Sequence, residues 1–181
     1  MTDAWTATAE KAAERARTLR PIAITLFAIG MAMIANDVVP VSRECFDVLI
    51  DGQRQFSALC VLQKVGPRLI LAGPAIALVW ALWEAQSYLK RVEDGAVWAP
   101  ATMKLFGRIG ECLIAAAVWS ALFAPTLIAW VNERGGPLAW QLDAPIVTLA
   151  GLGIILIAIA RVLGDVLTVA GQVKSDNDEI V

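Results

Sequence analysis

Four long apolar runs, parted by short polar segments, set the pattern of this chain. They fall at about 21–40, 67–88, 109–131 and 144–165, each near the ~20 residues a helix needs to cross a hydrocarbon core of ~30 Å. The pattern predicts an all-α membrane protein: a four-helix transmembrane bundle, one integral membrane domain over 1–181. A helix over 1–20 precedes the first span and a tail over 166–181 follows the last.

The polar segments refine this. Ala4 to Arg20 is rich in Ala, Glu, Lys and Arg, with Glu10 and Glu14 one turn apart and Lys11 and Arg15 likewise, so it reads as a helix running into the membrane at Pro21. No small-x-small cleavage site follows the first apolar run, so span one is expected to be a retained anchor. Between spans one and two, residues 41–67 alternate apolar and polar groups between Pro40 and Gly66-Pro67. An interfacial helix or folded cap is expected there. The connection from Val131 to Asp143 is shorter and turns at Gly135-Gly136-Pro137.

Within the spans, small residues at helical spacing suggest packing seams. They are Ala28, Ala32 and Ala35; Gly73, Ala77 and Ala81; Ala117, Ala121 and Ala124; and Gly153, Ala160 and Gly164. Pro74 and Pro125 are expected to kink spans two and three where neighbours re-satisfy the freed carbonyls. Trp80, Trp83, Trp130 and Trp140 lie near span ends, where aromatic belts form.

Composition agrees: 58% of residues are hydrophobic, against roughly 45–50% apolar in soluble domains, and the mean hydropathy is +0.64. The net charge of −2 matters less than its distribution. Of 15 basic residues, ten lie at the two ends and between spans two and three, while Arg43, Arg54, Lys64, Arg68 and Arg134 lie in the other two connections. The positive-inside rule then puts both termini and the middle loop in the cytoplasm. The long connection becomes a loop cap on the opposite side of the membrane.

Cys45 and Cys60 share that connection, whereas Cys112 begins span three at the cytoplasmic side. The first two are placed either to form a disulfide, worth ~3 kcal/mol for a loop of this size, or to remain two thiols. The chain has no histidine and one tyrosine, Tyr88, which excludes histidine-based acid–base, triad and zinc chemistry. Gly107, Gly110 and Gly164 fit no phosphate-loop spacing, and no basic-aromatic strip supports direct nucleic-acid binding. No catalytic residue, metal or cofactor is expected.

What remains is polar groups in or near the membrane, where burial is costly and function is the default reading. Glu84, Glu111, Arg161 and Asp165 are expected to gather as a ring at the inner mouth of the bundle, and Asn36 and Asp37 to sit at its outer end. A structural ion-pair network or solvated helix ends would explain the same residues.

The middle loop and tail carry the most distinctive text. A Glu-x-Gly turn, Glu93-Asp94-Gly95, is followed by Trp98; Phe106-x-Arg108-x-Gly110 leads into span three; and the chain closes with Asp176-Asn177-Asp178 before Ile180 and Val181. This pattern resembles a bacterial four-span inner-membrane family catalogued as domain of unknown function 2975. The tail departs from it, with Glu179-Ile180-Val181 where a Leu-Thr-Ile-like ending is common. The resemblance implies a bacterial inner membrane, which makes the loop cap periplasmic, and genes beside small helix-turn-helix regulators of the Cro type, hence a small cytoplasmic DNA-binding partner. Partner-binding residues would be Arg91, Glu93, Gly95, Trp98, Lys104, Phe106, Arg108, Asp176, Asn177, Asp178, Ile180 and Val181.

Three functions are therefore carried forward. The first is a regulatory or interaction protein that sequesters such a regulator in response to a signal. The second is a small transporter or ligand carrier using its intramembrane carboxylates. The third is an accessory or assembly subunit of a larger membrane complex, with a homo-oligomer as the alternative assembly. In each the lipid bilayer is the common partner.

Overall fold

A computed structural model of the protein describes residues 2–46, 49–50, 53–54, 61–97, 99–131, 138 and 140–178, with side chains over 7–40, 63–97, 99–130, 138 and 140–170. Helix α1 is Thr2–Phe46, followed by a small antiparallel hairpin of β1 (Leu49–Ile50) and β2 (Gln53–Arg54). A π-helical turn, Val61–Val65, leads into α2 (Gly66–Glu93). Helix α3 (Pro100–Val118), a second π-helical turn (Trp119–Phe123) and α4 (Ala124–Val131) then form one continuous rod, and α5 (Ala144–Asp178) follows.

Among the described residues, four helical segments are long and apolar enough to cross a membrane. Their surfaces make the same point: Leu71, Trp80, Ile154 and Val162 are each about 60% exposed. Faces of that kind are costly in water and are the ordinary outer surface of a protein solvated by lipid. The chain is a multi-pass membrane protein.

Three expected boundaries move. Helix α1 passes Pro21 and Pro40 without a break and ends at Phe46, so the first long connection is shorter than 41–67. A proline costs one helical hydrogen bond, and a long rod packed on a neighbour tolerates that loss. Helix α3 begins at Pro100, which leaves only Asp94–Ala99 between α2 and α3. The segment expected as a tail after 165 continues α5 to Asp178.

The helices pack in chain order: α1 on α2, α2 on α3, and α3 on α5, with α4 also touching α2. Contacts between α1 and α5 are slight among the described residues. Three of the small-residue seams lie in these contacts. Ala81, Ala117, Ala121, Ala124 and Ala160 are buried, as is Gly153. The seam expected on α1 is corrected: Ala28, Ala32 and Ala35 are exposed, and the face toward α2 runs through Ala16, Ala23 and Gly30. A Cβ on Gly30 would stand 2.6 Å from the Val79 side chain.

A tight crossing joins α3 and α5. A Cβ on Gly110 would meet the Gly153 carbonyl at 2.6 Å, and one on Gly153 would meet the Gly110 carbonyl at 2.7 Å. Backbone lies against backbone there, an approach only glycine permits.

Both expected proline sites have their carbonyls re-satisfied by neighbours. Pro74 removes the N–H that would bond Ile70, and the Trp119 indole Nε1 donates to the Ile70 carbonyl at 2.8 Å. Pro125 does the same to Ala121, whose carbonyl accepts the Gln141 backbone N–H at 2.9 Å. The π-helical turn at Trp119–Phe123 widens the rod where Trp119 reaches across. Gly73 makes the room, since a Cβ there would overlap the indole of Trp119.

Candidate functional site

The α2–α3 turn marks one end of the molecule. Here α2 stops in a Schellman motif: Ala96 N–H bonds the Arg91 carbonyl at 2.9 Å and Gly95 N–H bonds Val92 at 3.1 Å. Gly95 has φ +83°, the left-handed conformation that this cap requires and a side chain penalises. Thr102, fully buried, donates from Oγ1 to the Ala96 carbonyl at 2.7 Å, pinning the start of α3 to the turn.

The motif glutamate faces back to α1. Glu93 Oε2 accepts from Arg20 Nη1 at 2.9 Å, and its Oε1 lies 3.5 Å from Arg17 Nε. The hydrogen bond from Arg20, backed by both guanidinium charges, holds the Glu93 carboxyl below its ordinary range. Beneath this pairing, Ala16, Val92 and Val97 form a small buried cluster with Ala12, Tyr88 and Leu89 against it. The Tyr88 and Phe106 rings stack obliquely at 5.5 Å. Glu93, Gly95 and Phe106, expected to meet a partner, are therefore engaged within the chain.

The expected ring of four charges divides. Glu84 is buried, with its carboxylate 3.9 Å from Arg108 across the α2–α3 contact. Glu111, Arg161 and Asp165 instead line a groove of about 430 Å³ between α3 and α5, together with Lys104 and Arg108. All five of these groove residues are exposed. The groove floor is Met103, Gly107, Ile157 and Ala160. Arg91 stands exposed on α2 near the turn.

At the other end, Asn36 and Asp37 are exposed on α1, and the Asp37 carbonyl accepts from Arg68 Nη1 at 2.9 Å. Asp37 and Arg68 line a shallow α1–α2 groove with Met33, Leu71 and Leu78. Nearer the middle of these helices, Phe27 and Trp83 pack at 5.4 Å beside an apolar groove of about 610 Å³ that opens between Met31, Ile76 and Trp80.

Trp98, Cys60, Ile180 and Val181 lie outside the described residues, as do the side chains of Cys45, Asp176, Asn177 and Asp178. Cys112 is a half-buried free thiol.

Five positions that the structure brings into use were not among those expected. Arg17 and Arg20 pair with a residue more than 70 positions away, and no local pattern announces that. For Trp119 the signal is Pro74, four residues beyond Ile70, which leaves a carbonyl in need of a donor. For Gly107 and Gly110 the signal is their three-residue spacing on a helix that meets Gly153, which marks a close crossing.

A family model described as Protein of unknown function (DUF2975) matches residues 49–181. No curated protein and no solved structure matches the chain.

Proposed function

We propose, since the chain belongs to the DUF2975 family of proteins of unknown function, that it acts by binding rather than catalysis. On this reading it is a regulatory membrane protein of a bacterial inner membrane, both termini cytoplasmic, that holds a small DNA-binding regulator at its turn end. The observation that carries the reading is the length of α5. It continues for 13 residues past Asp165, about 20 Å of helix, and so presents the acidic Asp176-Asn177-Asp178 segment on a rod fixed in the membrane. Lys90, Arg91 and Lys104 lie exposed at the same end, and together these charges favour a partner with complementary ones. A regulator held there more tightly than on DNA has its free concentration set by the state of the membrane protein.

The test is affinity purification in mild detergent of the intact chain and of a form ending at Lys174. A small DNA-binding protein recovered with the intact chain alone supports the reading. Large membrane subunits recovered with both forms support an accessory role instead. A second reading, a ligand carrier, is favoured by the groove that brings Glu111, Arg161 and Asp165 together. Uptake that falls in Glu111→Gln or Asp165→Asn would select it.

A further inference from the structure

We infer that the α3–α5 groove is a site for the phosphoethanolamine headgroup of a membrane phospholipid. The inference does not depend on the partner-holding reading above.

The groove straddles the level at which span three begins and span four ends. Arg161 and Asp165 close the apolar run of α5, and Lys104 and Arg108 precede that of α3. Its rim carries three cations and two carboxylates, and its floor is apolar. Headgroups lie at this depth, with acyl chains below.

The charges are not spent on one another. Among the described residues, Lys104, Glu111, Arg161 and Asp165 make no side-chain hydrogen bond or ion pair, although Arg161 and Asp165 sit one turn apart on α5. Arg108 is shared with Glu84. Two free cations and two free carboxylates around one opening suit a ligand that carries both signs a few ångströms apart. A phosphate can take the fork and point charges of Arg161 and Lys104. A primary ammonium can donate to Glu111 and Asp165. A choline headgroup has no N–H to give those carboxylates, and a glycerol headgroup has no cation. Exposed Ile154 and Ile155 lie deeper on α5, about two turns below Arg161, where acyl chains would lie.

The experiment is native mass spectrometry of the full chain from micelles doped with equal amounts of phosphatidylethanolamine, phosphatidylglycerol and phosphatidylcholine of matched chains. Phosphatidylethanolamine is expected to be retained about tenfold over the other two, near 1.4 kcal/mol. Glu111→Gln with Asp165→Asn should reduce it to the level of phosphatidylglycerol, and Lys104→Gln with Arg161→Gln should lower all three. These side chains are exposed, so unchanged melting of each variant separates lost binding from lost fold. Equal retention of the three lipids by the native chain overturns the proposal, as does a preference that survives Glu111→Gln with Asp165→Asn. Displacement by equimolar soluble glycerophosphoethanolamine would move the ligand from bilayer to water and overturn the lipid source.

Discussion

Trp119 donates its indole N–H to the carbonyl of Ile70, the acceptor that Pro74 leaves without its helical donor. A side chain on one span thus completes the backbone of another. In hydrocarbon, where water cannot substitute, an unpaired carbonyl is costly. Trp119→Phe should lower stability by about 1–2 kcal/mol in detergent unfolding. In a Pro74→Ala background, position 74 regains its N–H and the same change should cost less. Equal losses in both backgrounds would show that the indole contributes packing alone.

The glycine crossing of α3 and α5 predicts a sharp contrast. Gly110→Ala and Gly153→Ala each drive a methyl into backbone oxygen and should cost about 1–3 kcal/mol. Gly151→Ala, on the same helix with nothing within 4 Å of the new methyl, should be neutral or mildly stabilising. Unfolding of the three variants side by side reads this directly.

Glu93 predicts a pH dependence. Its folded-state carboxyl titrates below the ordinary value because Arg20 and Arg17 hold the anion. The stabilisation is therefore fully present above the ordinary glutamate value, ~4.3, and is lost as pH falls through the lowered folded one. Glu93→Gln should melt below the native chain at pH 7, and the gap should close on acidification below pH ~4. Protease cleavage within residues 7–20 should rise in the same variant at neutral pH, since α1 loses its tether to the turn.

Orientation is read by cysteine labelling in a background with Cys45, Cys60 and Cys112 replaced by Ser. An impermeant maleimide should label Leu142→Cys on intact cells and Asp94→Cys only after permeabilisation. The opposite pattern would place the turn end outside. On the native chain, equal labelling of Cys45 and Cys60 before and after reduction would show two thiols rather than a bridge.

The spans were legible because length and apolarity are one-dimensional properties, and the bilayer fixes the length. Pro74 and Pro125 were legible for a related reason: each removes one donor, and the carbonyl affected lies four residues earlier. Which face of a span meets protein was legible only in part. Gly73, Ala117 and Gly153 stood out, but along span one lipid and protein faces are equally apolar, so Ala28 and Ala32 were indistinguishable from Ala23 and Gly30. The sequence pattern groups charged residues only by their depth along the helices. Depth says that Glu84 and Glu111 stand near one height, not that Glu84 turns toward Arg108 while Glu111 faces α5. Arg20 and Glu93 meet only because α1 lies along α2, a relation no local window contains.

Because each membrane span rests on the one synthesised before it, assembly can keep pace with the ribosome. Span two finds its seat on span one as soon as it is released into the bilayer, and no span waits unpaired for a distant later one. Each connection closes between consecutive spans rather than distant ones, so the loop entropy lost at each step is small. A nascent chain stalled after α2 should already be a paired hairpin, with the Glu93 clasp closed before the second half exists.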